Sequence, residues 1–250
     1  MKPSFSFKVF DSYNKINLVS TKAWGSINPF TSYWAIKRIA EAIDSSEREN
    51  ELANRLVFAE QIHGGSVHVC QPGDGGSIRL SSDALISNVR RQILGIYTAD
   101  CLPILLFEPK KEVIGAIHAG YKGLGQGVIY NTIEQLVVNF GCSPSDVLVG
   151  LGPFIHACCY EIREELLVAL EKLDWLPYVK KNSDRLFLDL NEIVQFQLRD
   201  CGILSSQIES LGLCNSCRSD LFFSARKRTH HDERGASIIS LISLSEKFFP

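Results

Sequence analysis

Residues 98–123 read TADCLPILLFEPKKEVIGAIHAGYKG, and this stretch decides the fold around it. The apolar runs 104–107 and 113–117 have strand length and flank a polar Pro-Lys-Lys turn, a pattern typical of a β-hairpin. Folding the hairpin brings its outer ends together, so that Cys101 and His118 become neighbours. A thiol and an imidazole held on rigid strands suit Zn²⁺, and they equally suit a Cys-His nucleophilic pair. We interpret this junction as the active site.

Composition restricts the class of protein. The 250 residues are 45% apolar and 22% charged, with a net charge of −2, as expected for a globular domain with a substantial core. No basic surplus indicates binding to nucleic acid or to an anionic membrane. The N-terminal segment lacks the apolar stretch of a signal peptide, and no apolar run approaches the ~20 residues that cross a bilayer. We therefore expect a cytoplasmic protein.

The remaining pattern mixes strands and helices without internal repeats or linkers, and no change in composition marks a domain boundary. We expect one α+β domain over residues 1–250, with mixed β-sheets flanked by helices. Besides the hairpin, the expected strands are residues 56–58, 67–69, 84–86, 93–97, 147–149, 208–211 and 236–244. The expected helices are residues 33–43, 124–139, 164–173 and 190–199.

Eight cysteines are spread along the chain, and without an export signal we expect free thiols or metal ligands rather than disulfides. The adjacent Cys158 and Cys159 are expected to point to opposite sides of a strand, so that at most one can serve a site. Cys214 and Cys217 form a CxxC pair without a second half-site. Ordinary buried thiols are the favoured interpretation of that pair, ahead of structural zinc or redox chemistry.

Further polar residues are candidates for the same site. Gln61 and His63 alternate after an expected strand, just before two glycines, so their side chains are expected to share one face. Asp83 precedes another expected strand, and Asp100 precedes Cys101. Each carboxylate could orient a metal-bound imidazole or act as a general base, or it could merely cap a loop.

Two segments could bind an anion. Residues 118–127 combine a strand end, a glycine-rich turn and a helix start, which exposes backbone N–H groups. Residues 222–228 and Arg234 carry a basic run, which is a solvated loop on local grounds, although an anionic substrate would need such an arginine.

The motifs taken together resemble the YfiH/YlmD-type family, also called laccase-domain or polyphenol oxidase family proteins. The matching elements run in the family's order from about residue 19 to residue 241: Gln61-x-His63, Asp83-Ala84-Leu85-Ile86, Thr98-Ala99-Asp100-Cys101-Leu102-Pro103, His118-Ala119-Gly120, Gly150-Leu151-Gly152-Pro153-Phe154-Ile155, Cys214, Phe222-Phe223-Ser224-x-Arg226 and Arg234-Gly235-Ala236-Ser237. The resemblance implies a metal site formed by His63, Cys101 and His118, and a fold of mixed sheets flanked by helices.

The resemblance also implies an activity. Members of the YfiH/YlmD-type family are described as purine nucleoside phosphorylases that also act on methylthioadenosine and deaminate adenosine. We therefore expect a zinc enzyme, with copper as the alternative metal, that uses inorganic phosphate to cleave adenosine, inosine, guanosine or methylthioadenosine. Three protein ligands leave a fourth position open, as in catalytic zinc sites.

The roles implied for individual residues are as follows. Cys101, Asp83 and Asp100 are the expected catalytic residues, the two carboxylates as proton carriers. Arg226, Lys22 and Gln61 are the expected substrate and phosphate ligands. Two positions depart from the family pattern: Tyr121 stands where a tryptophan is usual, and Lys22 stands where an arginine is usual. Lysine keeps the charge but loses the bidentate fork.

Three other interpretations remain open. Cys101 and His118 could form a metal-free thiol hydrolase or amidase, for which a second imidazole on the thiol is unnecessary. Older descriptions of the family name copper polyphenol oxidases or a peptidoglycan-editing role; the six histidines are too few for a four-copper laccase.

The expected partners are a purine nucleoside and phosphate, with no nucleic acid and no membrane. Oligomeric state is not predicted.

Overall fold

The computed structural model describes residues 4–13, 15–27, 37, 39, 49–76, 78–79, 81–227 and 233–243. The strands are β1 Ser4–Phe5, β2 Lys15–Ser20, β3 Leu56–Ala59, β4 Val67–Val69, β5 Ile78–Arg79, β6 Ala84–Ser87, β7 Ile93–Thr98, β8 Leu102–Glu108, β9 Val113–Ala119, β10 Leu148–Leu151, β11 Glu161–Ile162, β12 Val179–Asn182, β13 Arg185–Leu188, β14 Ile208–Ser210 and β15 Gly235–Ser243. The helices are α1 Glu49–Ala53, α2 Tyr121–Gly125, α3 Val128–Phe140, α4 Leu167–Glu171 and α5 Leu190–Asp200.

Two six-stranded mixed sheets form the centre of the domain. The first has the strand order β1-β2-β15-β7-β3-β5, and the second has the order β14-β10-β8-β9-β6-β4. Strands β11, β13 and β12 form a separate three-stranded antiparallel sheet. The prediction of an α+β fold with mixed sheets is confirmed.

The two large sheets pack face to face. Alternate residues of the hairpin strands point to opposite sides, so each strand contributes to two apolar clusters. Leu105 and Phe107 of β8 join a cluster that includes Leu94 and Ile239 of the first sheet. Their neighbour Leu106 points the other way, into a cluster with the apolar residues of α3 and α5. Both faces of β8 and β9 are therefore buried, which explains their continuous apolar sequence.

The hairpin is confirmed with a register that brings its outer ends together. Leu102 pairs with Ala119 and Pro103 with His118, while Glu108 pairs with Val113 at the closed end. The buried carboxylate of Glu108 stabilises the turn by accepting hydrogen bonds from the backbone N–H groups of Lys110 and Lys111. By alternation along β9, His118 shares the face of Ala116, which packs on the first sheet. The site therefore opens at one end of the sandwich, between the two sheets.

Several expectations for secondary structure need correction. The helix expected over residues 124–139 is two helices, α2 and α3, because Gly127 adopts the left-handed region with φ 76° between them. Residues 164–173 form one turn of 3₁₀-helix followed by the short helix α4. The helix expected over residues 33–43 lies outside the described residues apart from Lys37 and Ile39, which are helical.

Two further corrections concern strands. Cys158 and Cys159 lie in a turn instead of a strand, so the argument that they must point to opposite sides fails. The strands β11–β13 were not expected, because β12 carries the sequence VKKN and three of its four residues are exposed. No helix within the described ranges is long and apolar enough to cross a membrane.

Candidate active site

The open end of the hairpin places Cys101 against Gly120. Cys101 lies one residue before β8, and Gly120 lies one residue after β9, directly across from it. A Cβ atom at Gly120 would lie 2.9 Å from the Cys101 sulfur, which is closer than real Cβ contacts come. Glycine at this position therefore leaves the room that the thiol occupies.

His63 reaches the same point from the first sheet. It follows β3 in a tight turn and adopts φ 61°, a left-handed conformation that is uncommon for a non-glycine residue. The carboxylate of Asp83 holds this turn by accepting hydrogen bonds from the backbone N–H groups of Ile62, His63 and Gly64 at 2.7–3.2 Å. As a result the rings of His63 and His118 meet edge to face, with centroids 4.8 Å apart.

Asp83 also orients His118. Its Oδ1 lies 2.7 Å from His118 Nδ1, and the backbone N–H of His118 donates to the Asp83 carbonyl at 2.8 Å. The Asp83 side chain is fully buried. Burial alone would raise the pKa of this carboxyl, but the hydrogen bonds from His118 and from the backbone lower it below its usual value. Asp83 is thus an ionised carboxylate that positions two histidines and has no contact with solvent.

The thiol and the imidazole stabilise each other's charged forms. Burial would raise the pKa of Cys101, yet the charge of His118 and hydrogen bonds from both histidines lower it to about 6. Burial would lower the pKa of His118, yet the Cys101 thiolate and Asp83 raise it to about 9. The lowered pKa of Cys101 favours the thiolate, which is the form of the sulfur that binds metal.

The three side chains fit a metal ion. The ligand atoms of His63, Cys101 and His118 all lie within 4.8 Å of one another. Because Asp83 occupies Nδ1 of His118, the other ring nitrogen is left for coordination, as in the carboxylate–histidine–zinc arrangement. Two nitrogens and one thiolate are a donor set of tetrahedral zinc.

These residues line a cavity of about 660 Å³, a size that suits a nucleoside. Its wall combines aromatic, carboxylate and guanidinium groups. The lining residues with aromatic or charged side chains include Asp100, Tyr97, Tyr121, Tyr160, Arg226 and Arg234.

Asp100 and Arg226 reach the cavity together. Asp100 has φ 86°, and its Oδ2 accepts a hydrogen bond from the backbone N–H of Arg226 at 3.0 Å. Burial raises the pKa of the Asp100 carboxyl above its usual value. The guanidinium of Arg226 lies over the ring of Tyr160, 5.4 Å from its centroid, and donates to the Glu161 carbonyl at 3.0 Å.

The other two expected substrate ligands have different surroundings. The Gln61 side chain lines the cavity, but both ends of its amide bind the backbone of Tyr97 at 2.7 Å, which ties the His63 turn to β7. The Lys22 ammonium lies 5.3 Å from the ring centroid of Phe223, and Lys22 is absent from the described residues that line the cavity.

Two of the lining residues that sequence reasoning did not select, Tyr160 and Arg234, carry polar groups into the cavity. Tyr160 follows the cysteine pair and has no motif of its own to reveal it. Arg234 was noted only as part of a basic run and of a matching motif. Its position directly before β15, which pairs with β7 beside the site, was the available signal.

Comparison with known proteins bears on the same geometry. A model of the family described as multi-copper polyphenol oxidoreductase laccase matches residues 14–244. The chain belongs to this family. Its resemblance to YfiH/YlmD-type proteins is thereby confirmed.

Two relatives are similar to this chain over most of its length. Purine nucleoside phosphorylase YlmD of Bacillus subtilis is 27% identical over 237 residues, which are 89% of this chain and 84% of the relative. Purine nucleoside phosphorylase LACC1 of Mus musculus is 32% identical over 216 residues, which are 82% of this chain and 49% of the mouse protein. The chain thus spans about half the length of the mouse relative.

Two solved structures share the fold of this chain. The YfiH protein of Bacillus licheniformis aligns with a TM-score of 0.83 at 24% identity, covering 97% of both chains. YlmD of Geobacillus stearothermophilus aligns with a TM-score of 0.80 at 24% identity, covering 96% of both chains. At this identity the likeness establishes the architecture.

Proposed function

We propose that this protein is a zinc-dependent purine nucleoside phosphorylase, with adenosine, inosine, guanosine and methylthioadenosine as candidate substrates. The observation that carries the proposal is the convergence of His63, Cys101 and His118 in the wall of a nucleoside-sized cavity that two arginines also line. Relatives that bear the name purine nucleoside phosphorylase support it. The eight free cysteines favour a reducing compartment such as the cytoplasm.

His63, Cys101 and His118 are the proposed zinc ligands. When bound, the ion supplies a Lewis acid that stabilises negative charge developing on the substrate or activates a water. The residues of the chain do the rest of the positioning. Asp83 fixes the His118 ring and the His63 turn, so the donor atoms stay in place while the substrate enters and leaves.

Arg226 is the proposed phosphate ligand. Phosphate carries negative charge, and a guanidinium offers it two parallel N–H donors. Arg226 is held by Tyr160 and by the Glu161 carbonyl, so it is placed before phosphate arrives. Arg234 also lines this cavity. Lys22 is a weaker candidate, because its ammonium lies over Phe223.

Asp100 is the proposed proton carrier. Its carboxyl lines the cavity next to Cys101, and its raised pKa keeps a proton available at higher pH than for an ordinary aspartate. A departing purine accumulates negative charge, and a nearby acid lowers the barrier by donating a proton. For Asp83 we propose a positioning role instead, because its side chain is fully buried and it is not among the described residues that line the cavity.

The test is phosphate-dependent release of free base from the four nucleosides, combined with measurement of zinc in the same preparation. Cys101→Ala should lose base release, whereas Cys201→Ser, at the end of α5, should retain it. Full base release in Cys101→Ala, or zinc-loaded wild type that releases no base, would falsify the proposal. Ammonia release from adenosine, measured alongside, decides whether the site also deaminates.

The same assays test the alternatives. A metal-free thiol hydrolase would lose activity on alkylation of Cys101 but not on removal of metal. The presence of His63 beside the thiol argues against it, since such an enzyme needs only one imidazole there. A copper oxidase would consume oxygen with a phenol in the absence of phosphate.

A further inference from the structure

A second group of side chains that could hold a metal ion lies outside the active site. The sulfur atoms of Cys158, Cys159, Cys214 and Cys217 all lie within 4.8 Å of one another; we call these residues the four-cysteine cluster. None of the four is among the residues described as lining the substrate cavity. The cluster joins two segments that are more than 50 residues apart in sequence, as the separation of Cys159 and Cys217 shows.

The local backbone explains how adjacent cysteines can act together. Residues 157–159 form a turn, in which the N–H of Cys159 donates to the His156 carbonyl at 2.9 Å. The sulfur of Cys217 then lies 3.5 Å from that of Cys158 and 3.4 Å from that of Cys159. A tetrahedron of sulfurs around zinc, with Zn–S bonds of ~2.3 Å, has edges of about 3.8 Å. The cluster is therefore already close to the size that the ion requires.

The CxxC segment provides the other half. A backbone bridge pairs Phe154 with Cys214 and joins the two segments next to the cluster. The buried sulfur of Cys214 accepts hydrogen bonds from the backbone N–H groups of His156, Ser216 and Cys217, which fix its position beside the other three sulfurs.

The geometry points to a structural zinc site in which Cys158, Cys159, Cys214 and Cys217 hold one Zn²⁺ with four thiolates. Four thiolates and no open position are typical of structural rather than catalytic zinc. The site is independent of the active-site metal and of the proposed phosphorylase activity. It would fasten the turn that leads into Tyr160 to the segment that leads into Phe223 and Arg226, and so support one wall of the cavity.

Two other arrangements of these thiols are outcomes of the test. The sulfurs are free and 3.4–3.5 Å apart, whereas a disulfide requires ~2.05 Å. A disulfide between Cys217 and either of its neighbours would therefore contradict the proposal. So would four thiols that bind no metal.

The decisive experiment uses the full chain and counts metal in variants that separate the two sites. Reduced, metal-free protein is titrated with Co²⁺ without oxygen, and the bound ions are counted by native mass spectrometry. Wild type should bind two ions. Cys101→Ala should bind one, with the strong near-ultraviolet sulfur-to-cobalt absorption of a tetrathiolate centre. The double variant Cys101→Ala, Cys217→Ser should lose that ion, and Cys101→Ala, Cys201→Ser should keep it.

The titration has clear contrary results. If Cys101→Ala binds no ion, or if its absorption is unchanged by Cys217→Ser, the four-cysteine cluster is not a metal site. Peptide mapping without reduction of freshly purified protein gives an independent answer. A cross-link of Cys217 to Cys158 or Cys159 overturns the proposal even if Cys217→Ser fails to fold.

Discussion

Asp83 Oδ1 lies 2.7 Å from Nδ1 of His118, and the same carboxylate accepts hydrogen bonds from the backbone N–H groups of residues 62–64, the turn that carries His63. One buried side chain therefore sets the orientation of His63 and His118, two of the proposed zinc ligands, which come from different sheets. From the sequence, Asp83 could be an orienting group, a general base or a loop cap. Its complete burial and its hydrogen-bond partners favour the orienting role.

Replacing Asp83 with asparagine should weaken zinc binding by about 10- to 100-fold, the usual effect of losing the partner of a ligating histidine. The amide keeps the size of the carboxylate but cannot accept from all four donors. The measurement is competition for zinc against a chromogenic chelator. Glu108→Gln is the matched control, because Glu108 is a buried carboxylate that accepts two backbone N–H groups at the far end of the same hairpin. Equal losses of zinc affinity in both variants would show a general effect on folding instead.

Arg226→Ala should raise the KM for phosphate by about 10- to 150-fold, because a hydrogen bond to a charged group contributes about 1.5–3 kcal/mol. Lys22→Ala should change that KM by less than about threefold, as expected for a cation outside the cavity. Arg218→Ala is the control for charge, since Arg218 lies in the same segment but pairs with Asp220 at the surface. The reverse order, with Lys22→Ala the more damaging, would transfer the phosphate site to Lys22.

The sequence predicted the parts of the site that local pattern controls. Cys101 and His118 could be paired because a short hairpin fixes its own register. The alternation of Gln61 and His63 made His63 a candidate for the same site, but its role as a metal ligand came from the family resemblance, since its turn is held by Asp83 from another sheet. Arg234 and Tyr160 enter the cavity through strand pairing and a loop contact that no local pattern encodes.

The misjudged elements have physical reasons as well. The apolar stripe of residues 124–139 predicted one helix, but Gly127 interrupts the chain with a left-handed residue that the stripe does not reveal. Alternation was applied to Cys158 and Cys159 as if they lay in a strand. In the turn that they actually form, both sulfurs reach Cys217.

Gly120→Ala should weaken zinc binding by about 5- to 150-fold while the protein still folds. The new Cβ would lie 2.9 Å from the Cys101 sulfur, and accommodating an extra methyl group in a packed site costs about 1–3 kcal/mol. Gly115→Ala is the control, because Gly115 lies in β9 of the same hairpin and crowds Leu106 in the core, away from the thiol. Thermal unfolding and zinc competition should be measured on both. A variant that loses stability as Gly115→Ala does but retains zinc affinity would contradict the steric argument.

Removing metal should expose Cys101 to alkylation, and the pH dependence should follow from its lowered pKa. With a pKa of about 6, the Cys101 thiol is mostly thiolate at pH 7 in metal-free protein, so iodoacetamide reacts there and slows as the pH falls below 6. Burial raises the pKa of Cys201 to about 11, so it stays a thiol over that range and serves as the internal control in the same sample. Zinc should protect Cys101, because coordination to the cation withdraws electron density from the sulfur and makes it a weaker nucleophile. Mass spectrometry of peptides gives both rates. If zinc leaves the rate at Cys101 unchanged, the thiol is not a ligand and the metal-free hydrolase becomes the better description.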